Sequence, residues 1–168
     1  QVEIIELLED FTNSKNFFLN IFEKSTKLCF YLHGGVGVGK TMLLNFLYSK
    51  IEIKKVRMHF NEFMINFHNY RHEEKDDNSI KNFVKNLKQN YEIIYLDEFQ
   101  VTNIVDAMIL GKLFELIFKE NIKIILTSNI KISELYKDGL QRDQFKPFIK
   151  IMEKKSIEHK LEIEDDYR

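Results

Sequence analysis

Short apolar runs alternate with amphipathic helical patterns along most of the chain. The run at 28–32 reads as a buried strand, because it is short, apolar, rich in aromatic residues and followed closely by glycines, and three further runs are predicted as strands. Apolar positions three to five residues apart predict the helices between them. The predicted strands span 28–32, 54–60, 93–96 and 122–127, and the predicted helices span 2–11, 41–48, 61–70, 80–87, 104–118, 132–136 and 143–152.

A fifth strand is predicted at 156–163, where polar and apolar positions alternate as they do in an edge strand. Residues 73–78 are charged and polar and predict an exposed loop, and the apolar patch 17–22 follows a polar break at 13–16. Strands that alternate with helices predict a parallel, doubly wound α/β sheet. Ligands of such sheets bind at the carboxyl ends of the strands, so the residues after each strand are the first candidates for chemistry.

A glycine-rich segment follows the first predicted strand and reads Gly-Gly-Val-Gly-Val-Gly-Lys-Thr. It matches the phosphate-binding pattern G-x-x-x-x-G-K-[ST] and lies between a strand and a helix, as that loop requires. Glycines allow positive φ and a close backbone approach, so that N–H groups can face phosphate oxygens. Lys40 is expected to reach the β- and γ-phosphates, and Thr41 is expected to bind Mg²⁺. The predicted nucleotide-binding set is Gly34, Gly35, Val36, Gly37, Val38, Gly39, Lys40, Thr41 and Met42.

Two acidic residues follow the third predicted strand, Asp97 and Glu98. An aspartate at a strand end holds magnesium in P-loop enzymes, and we expect Asp97 to do so together with Thr41. Glu98 is expected to project to the other side along the pleat and to polarise an attacking water. The adjacent second acid argues against a small-molecule kinase, because transfer to a substrate hydroxyl needs no activated water. The two motifs together predict an ATPase that uses ATP and Mg²⁺.

Polar residues also end the fourth predicted strand, which finishes in Thr-Ser-Asn. A polar side chain at this position would lie beside the γ-phosphate and orient water, as the sensor-1 residue does in AAA+ proteins. Asn129 is the candidate for that role. The alternative is that these residues cap or turn the chain before the segment that starts at Ile130.

Composition narrows the range of functions. A length of 168 residues with 44% hydrophobic residues fits one domain with a sizeable core. The formal net charge of −1 gives no strong signal for nucleic-acid binding. The single cysteine, Cys29, cannot form an internal disulfide and is expected to be a core residue. No run of 18 or more apolar residues predicts a transmembrane segment.

Longer strings in the chain make the comparison with known families specific. Residues 96–110 read Leu-Asp-Glu-Phe-Gln-Val-Thr-Asn-Ile-Val-Asp-Ala-Met-Ile-Leu, which resembles the ZapE-like cell-division ATPases. The mitochondrial members of this family are known as ATPase family gene one or lactation-elevated protein one. The resemblance implies an α/β fold, a P-loop NTPase of the AAA+ type with a three-layer sandwich around a central parallel β-sheet. Further matches lie at 32–37, 59–64, 135–149 and 166–168.

The resemblance also implies how the protein works. It implies a homo-oligomeric ATPase that acts on protein clients, either at the division ring in the bacterial cytoplasm or on inner-membrane proteins at the matrix side in mitochondria. Arg142 then becomes the candidate arginine finger for a neighbouring subunit, and Arg168 is a weaker candidate. The alternative for Arg142 is a surface arginine at a helix start.

The chain departs from the family pattern in three places. Asn61 stands where histidine is usual, and Asn103 stands where aspartate is usual. Family members continue past the Asp-Tyr-Arg string at 166–168 into lid and sensor-2 elements. We therefore expect residues 1–168 to form a single P-loop ATPase domain without its C-terminal lid portion.

Two other functions are compatible with the same motifs. A helicase-loader-like AAA+ protein would need a basic or aromatic strip for single-stranded DNA. A truncated nucleotide-binding scaffold would bind ATP without turnover. The basic residues available for such a strip are scattered, namely Lys54, Lys55, Arg57, Lys81, Lys85 and Lys88.

Overall fold

Five parallel strands form the central sheet, in the order β2-β3-β4-β1-β5. The computed structural model describes residues 2–12, 27–74 and 76–162. The polar break at 13–16, the apolar patch at 17–22 and the Asp-Tyr-Arg string with Arg168 lie outside these residues. The strands are β1 (Cys29–His33), β2 (Lys55–His59), β3 (Ile93–Asp97), β4 (Lys123–Ser128) and β5 (Ser156–Lys160).

Six α-helices connect or flank the strands in the described part of the chain. None of them is long and apolar enough to cross a membrane. The predicted strands and helices are confirmed there, with ends that shift by up to four residues; β5, for example, ends at Lys160 and not at 163. The helices are α1 (Val2–Thr12), α2 (Lys40–Lys50), α3 (Phe60–Glu74), α4 (Ser79–Asn90), α5 (Ile104–Lys119) and α6 (Arg142–Lys155).

Two of these differences have local causes. Helix α3 runs to Glu74, into the loop predicted at 73–78, because nothing before the turn at 77–78 breaks a helix. The helix predicted at 132–136 is a single 3-10 turn, Ile132–Glu134. Tyr136 has a φ of 54°, which a right-handed helix cannot accommodate.

The sheet separates two apolar cores. Along β1, Phe30 and Leu32 face helices α1 and α2, whereas Cys29 and Tyr31 face the side of α3, α4, α5 and α6. This alternation follows from the period of two in a strand and buries both faces of the sheet. Burial raises the pKa of the Cys29 thiol to about 12, so this cysteine is an inert core residue. The expected three-layer sandwich is confirmed.

The strand order brings distant segments to one edge. Strand β4 lies between β1 and β3, so the segments that follow these three strands are neighbours. Backbone hydrogen bonds join these segments to β4. The Gly34 N–H donates to the Ser128 carbonyl at 3.2 Å, and the Phe99 N–H donates to the Thr127 carbonyl at 2.7 Å. The glycine-rich loop and the acidic pair therefore flank the end of β4.

Candidate functional site

The glycine-rich loop runs from β1 into α2, which begins at Lys40. Gly37 and Gly39 have φ of 83° and 89°, so these two positions need glycine, whereas Gly35 does not adopt the positive φ that the pattern suggested. The N-cap, Gly39, has no side chain to accept from the first helical amides, and the first turn contains no acidic residue. The start of α2 is therefore an electropositive end whose first N–H groups have no partner within the helix, and it is suited to an anion such as phosphate.

Gly34 is required for a different reason, a close approach of backbone. A Cβ at this position would lie 2.3 Å from the carbonyl oxygen of Leu161. The Leu161 N–H donates to the His33 carbonyl at 2.7 Å, so the segment after β5 is fixed against the start of the loop. The sequence pattern alone did not show this contact.

We expect Gly34→Ala to destabilise the fold by about 1 to 3 kcal/mol, because the added methyl group overpacks against fixed backbone. Urea unfolding measures the change as a lower midpoint. Gly35→Ala is the matched control, since its Cβ would lie 3.9 Å from Val38, an ordinary contact. Equal midpoints for the two variants would contradict the assignment.

The Lys40 ammonium joins the loop to the end of β4. Its Nζ donates to the carbonyls of Gly34 at 2.6 Å and Gly35 at 2.7 Å, and to Oδ1 of Asn129 at 3.0 Å. Partial burial lowers the pKa of Lys40 from its ordinary value. A cation that is partly removed from water acts more strongly on a nearby anion, because the local dielectric constant is lower.

The sequence leaves two roles open for the end of β4, contact with a ligand and capping of a turn. Asn129 and Ser128 differ in which of these their positions allow. The Ser128 hydroxyl donates to the Phe99 carbonyl at 2.8 Å and accepts from the Ile130 N–H at 3.1 Å, so it holds the turn. The exposed Asn129 side chain contacts Lys40 instead. This geometry leaves Asn129 available to a ligand beside the loop.

Glu98 adopts a backbone conformation that the strand pattern did not predict. Strand β3 ends at Asp97, and Glu98 has a φ of 56°, so a left-handed turn and not the pleat directs its side chain. The Glu98 N–H donates to the Thr127 hydroxyl at 3.1 Å, which fixes the turn against β4. The Glu98 side chain is 81% exposed, and its Oε2 lies 3.8 Å from Nδ1 of His59. Left-handed non-glycine residues are uncommon and cluster at functional sites.

Asp97 is buried and held by partners that sequence reasoning missed. Nε and Nη2 of Arg57 both lie 2.7 Å from Oδ2 of Asp97, and the Thr127 hydroxyl lies 3.4 Å from Oδ1. In the sequence Arg57 is one of a scattered set of basic residues, and nothing there indicates that β2 pairs with β3. The Thr-Ser-Asn string indicates the right segment, but the sequence favours Asn129 and gives no role to Thr127.

An apolar cavity of about 600 Å³ opens beside the glycine-rich loop. The predicted residues Gly37, Val38, Gly39 and Met42 line it, whereas Val36 is 89% exposed at the tip of the loop. Apolar walls next to a phosphate-binding loop suit the flat base of a nucleotide. The lining residues that the sequence did not reveal are Ile5, Leu43, Phe46 and Leu161.

The donor set fits magnesium brought by a nucleotide. Within the described residues, no group of three or more His, Cys, Asp or Glu side chains could hold a metal ion alone. Magnesium prefers oxygen ligands and is usually held by one or two protein oxygens together with phosphate oxygens and water. Thr41, exposed in the first turn of α2, and Asp97 offer a hydroxyl and a carboxylate of that kind.

Arg142 is the first residue of α6. Its Nη2 donates to the Ser133 carbonyl of the 3-10 turn at 3.0 Å, and its buried Nε has no hydrogen-bond partner among the described residues. The structure thus places Arg142 at a partly exposed helix start in contact with its own chain.

The fold and the arrangement of motifs define a P-loop ATPase fold of the AAA+ type. Among solved structures, the DnaC helicase loader is similar, with a TM-score of 0.60 and 16% identity, over 94% of this chain and 89% of that one. AMPPCP-bound DnaA from Aquifex aeolicus is similar with a TM-score of 0.64 and 17% identity, over 95% of this chain and 46% of that one. At these identities the likeness shows the fold.

The family follows from the sequence comparison. The sequence model of the family described as AFG1-like ATPase matches residues 8–168, and the chain belongs to this family. Lactation elevated protein 1 homolog B from Danio rerio is 40% identical over 136 residues, which cover 73% of this chain and 27% of that protein. Cell division protein ZapE from Escherichia coli is 34% identical over 140 residues, which cover 82% of this chain and 37% of that protein. The chain thus spans 27 to 37% of the length of these relatives, and the resemblance to ZapE-like ATPases is confirmed.

Proposed function

We propose that this chain binds Mg²⁺-ATP and hydrolyses it. The observation that carries the proposal is the contact of Lys40 Nζ with Asn129 Oδ1 at 3.0 Å. It joins the phosphate-binding loop to the end of β4, and the Thr127 hydroxyl two positions earlier contacts both Asp97 and the Glu98 N–H. The loop, the acidic pair and the amide therefore form one site, although they are far apart in the chain.

Each group has a role in that site. The N–H groups at the start of α2 and the Lys40 ammonium bind the phosphates, and the apolar cavity takes the base. Thr41 and Asp97 would hold magnesium, which neutralises charge on the phosphate oxygens when it is bound. Because Asp97 is buried and paired at one oxygen, its carboxylate has little freedom to rotate.

Glu98 and Asn129 act on the water. As the oxygen of water attacks the γ-phosphorus, Glu98 accepts a proton from it, and the bond from that phosphorus to the bridging oxygen breaks to release ADP and phosphate. The Asn129 amide orients the water or the γ-phosphate from the side of β4. The high exposure of Glu98 leaves its carboxylate free to reach this position.

The partners are proposed from the relatives. One relative is named a cell division protein, and another belongs to the lactation elevated proteins. We propose that the chain forms homo-oligomers and acts on protein clients, at the division ring in a bacterial cytoplasm or on inner-membrane proteins at the mitochondrial matrix side. A helicase-loader-like protein would need a basic strip for DNA, and Lys55 and Arg57 are two of the basic residues available for it. Both instead form hydrogen bonds within the chain.

ATP turnover measured over a range of concentrations of the 168-residue chain tests the proposal. If Arg142 completes the site of a neighbouring subunit, activity per subunit rises with protein concentration, because the arginine stabilises transition-state charge only in an assembly. Tight ATP binding without turnover at any concentration would support a non-hydrolysing scaffold instead. Failure to bind ATP would overturn the proposed function.

A mixing experiment isolates the role of Arg142. Arg142→Ala and Glu98→Gln are each expected to be inactive alone. Mixed together, they should regain activity, because an intact Glu98 on one subunit can then meet an intact Arg142 on its neighbour. Lys146→Ala, an exposed residue on the same helix, serves as the control and should be active alone. A mixture as inactive as its components would contradict an arginine supplied between subunits.

A further inference from the structure

Arg57 connects two elements of the proposed site. Its side chain is 17% exposed, and Nε and Nη2 both donate to Oδ2 of Asp97 at 2.7 Å. Its remaining nitrogen, Nη1, donates to Oδ1 of Asn45 on α2. One guanidinium on the edge strand β2 therefore contacts the end of β3 and the helix that follows the phosphate-binding loop.

Asn45 lies on the same helix as Thr41, one of the two proposed magnesium ligands. Asn45 follows Thr41 by four residues on α2, so the two side chains lie on the same face of the helix, one turn apart. Thr41 and Asp97 are the two residues proposed to hold magnesium. Arg57 thus ties together the two elements that carry them.

We infer that Arg57 is a positioning residue for the magnesium ligands, an inference that rests on the proposed function. The planar guanidinium occupies Oδ2 of Asp97 with two charge-assisted hydrogen bonds. Oδ1 of Asp97 then remains available to the Thr127 hydroxyl and to Mg²⁺. Through Asn45, it also sets the spacing between α2 and β3. Partners of this kind, which orient a metal ligand, change metal affinity strongly when they are removed.

A purely electrostatic role for Arg57 predicts the opposite result. If the arginine were only a nearby positive charge, its removal would strengthen the attraction of the site for Mg²⁺. If it orients Asp97, its removal weakens Mg²⁺ binding even though a repelling charge is lost. Arg57→Lys keeps the charge and loses the fork, whereas Arg57→Met keeps the bulk and loses the charge, so the two variants separate these roles.

The experiment measures ATP binding by the 168-residue chain, with EDTA and then with increasing Mg²⁺. Each titration gives the Mg²⁺ concentration at which half of the metal-dependent gain in ATP affinity is reached. We expect Arg57→Lys to raise this concentration about tenfold. Arg57→Met should raise it as well. ATP affinity in EDTA should stay unchanged in both, because Lys40 and the loop are intact. The same variants should need more Mg²⁺ for turnover.

Two further variants serve as controls. Lys55→Met removes a residue on the same face of β2 that donates to the carbonyls of Tyr48 and Ile51 at the end of α2 but does not contact Asp97. It should lower the melting temperature without changing the Mg²⁺ requirement. Asn45→Ala loses only the arm to α2 and should raise the requirement less than Arg57→Lys does.

The outcomes separate this inference from the proposed function. A lower Mg²⁺ requirement in Arg57→Met, or an unchanged one in both Arg57→Lys and Asn45→Ala, overturns the positioning role. If the Arg57 variants do not fold, the exposed Asn45→Ala variant decides alone. An unmodified chain that fails to bind Mg²⁺-ATP overturns the proposed function instead, and that result is visible before any variant is compared.

Discussion

Glu98→Gln is expected to bind Mg²⁺-ATP with unchanged affinity and to hydrolyse it about 10² to 10⁴ times more slowly, because the amide cannot accept the proton of the attacking water. The substitution keeps the size of the side chain, and the backbone turn at this position is held by the Thr127 hydroxyl and not by the carboxylate. The fold and the phosphate contacts should therefore survive. Two measurements check the prediction: phosphate release reports hydrolysis, and a fluorescent ATP analogue reports binding.

Glu115→Gln is the matched control for this prediction. Glu115 lies on α5 with a 54% exposed side chain and, among the described residues, pairs only with Lys119 in the next turn, so losing its charge should leave turnover unchanged. Normal hydrolysis in Glu98→Gln would rule out Glu98 as the group that activates water. Loss of ATP binding in that variant would assign the carboxylate to the binding of the ligand.

Lys40→Ala is expected to weaken ATP binding by about 2 to 5 kcal/mol, which is roughly thirtyfold or more in Kd. The substitution removes the cation that faces the phosphates. It also leaves the carbonyls of Gly34 and Gly35 and the amide oxygen of Asn129 without their common donor, so that the site gains an excess of acceptors. Calorimetric titration of the 168-residue chain with ATP and Mg²⁺ measures the loss.

Lys119→Ala removes the same charge from the other side of the sheet, where the lysine is 67% exposed. It should bind ATP as the unmodified chain does, which excludes a general effect of net charge. Equal affinity of Lys40→Ala and the unmodified chain would overturn the assignment of the phosphate-binding loop.

Much of the fold follows from local patterns. The strand at Ile93–Asp97 and the helix at Ile104–Lys119 were predicted to within a residue, since apolar runs and helical periodicity directly reflect which side of an element is buried. Departures occur where the backbone leaves these regular patterns. Glu98 and Tyr136 both adopt left-handed conformations that neither residue type favours, so no local rule indicates them.

Candidate residues of the site were predicted with uneven success. The loop from Gly34 to Thr41 was read directly, because a phosphate-binding loop needs consecutive glycines and a lysine in one stretch of chain. The rule that ligands bind at the carboxyl ends of strands predicts that the end of β4 lies near the loop, but the hydrogen bond between Lys40 and Asn129 is seen only in the structure. Arg57 was missed, because its importance depends on which strand lies beside β3.

The sequence by itself determined the elements, the family and the chemical groups offered to a nucleotide, because each of these is written in consecutive residues. Only the tertiary structure decided which groups meet. The order of the strands puts β2 beside β3, so that Arg57 reaches Asp97, and puts the segment after β5 against the loop, so that the Leu161 carbonyl excludes any side chain at Gly34. Such contacts join residues far apart in the chain, and they arise only when whole faces of the sheet are buried together, which no local pattern encodes.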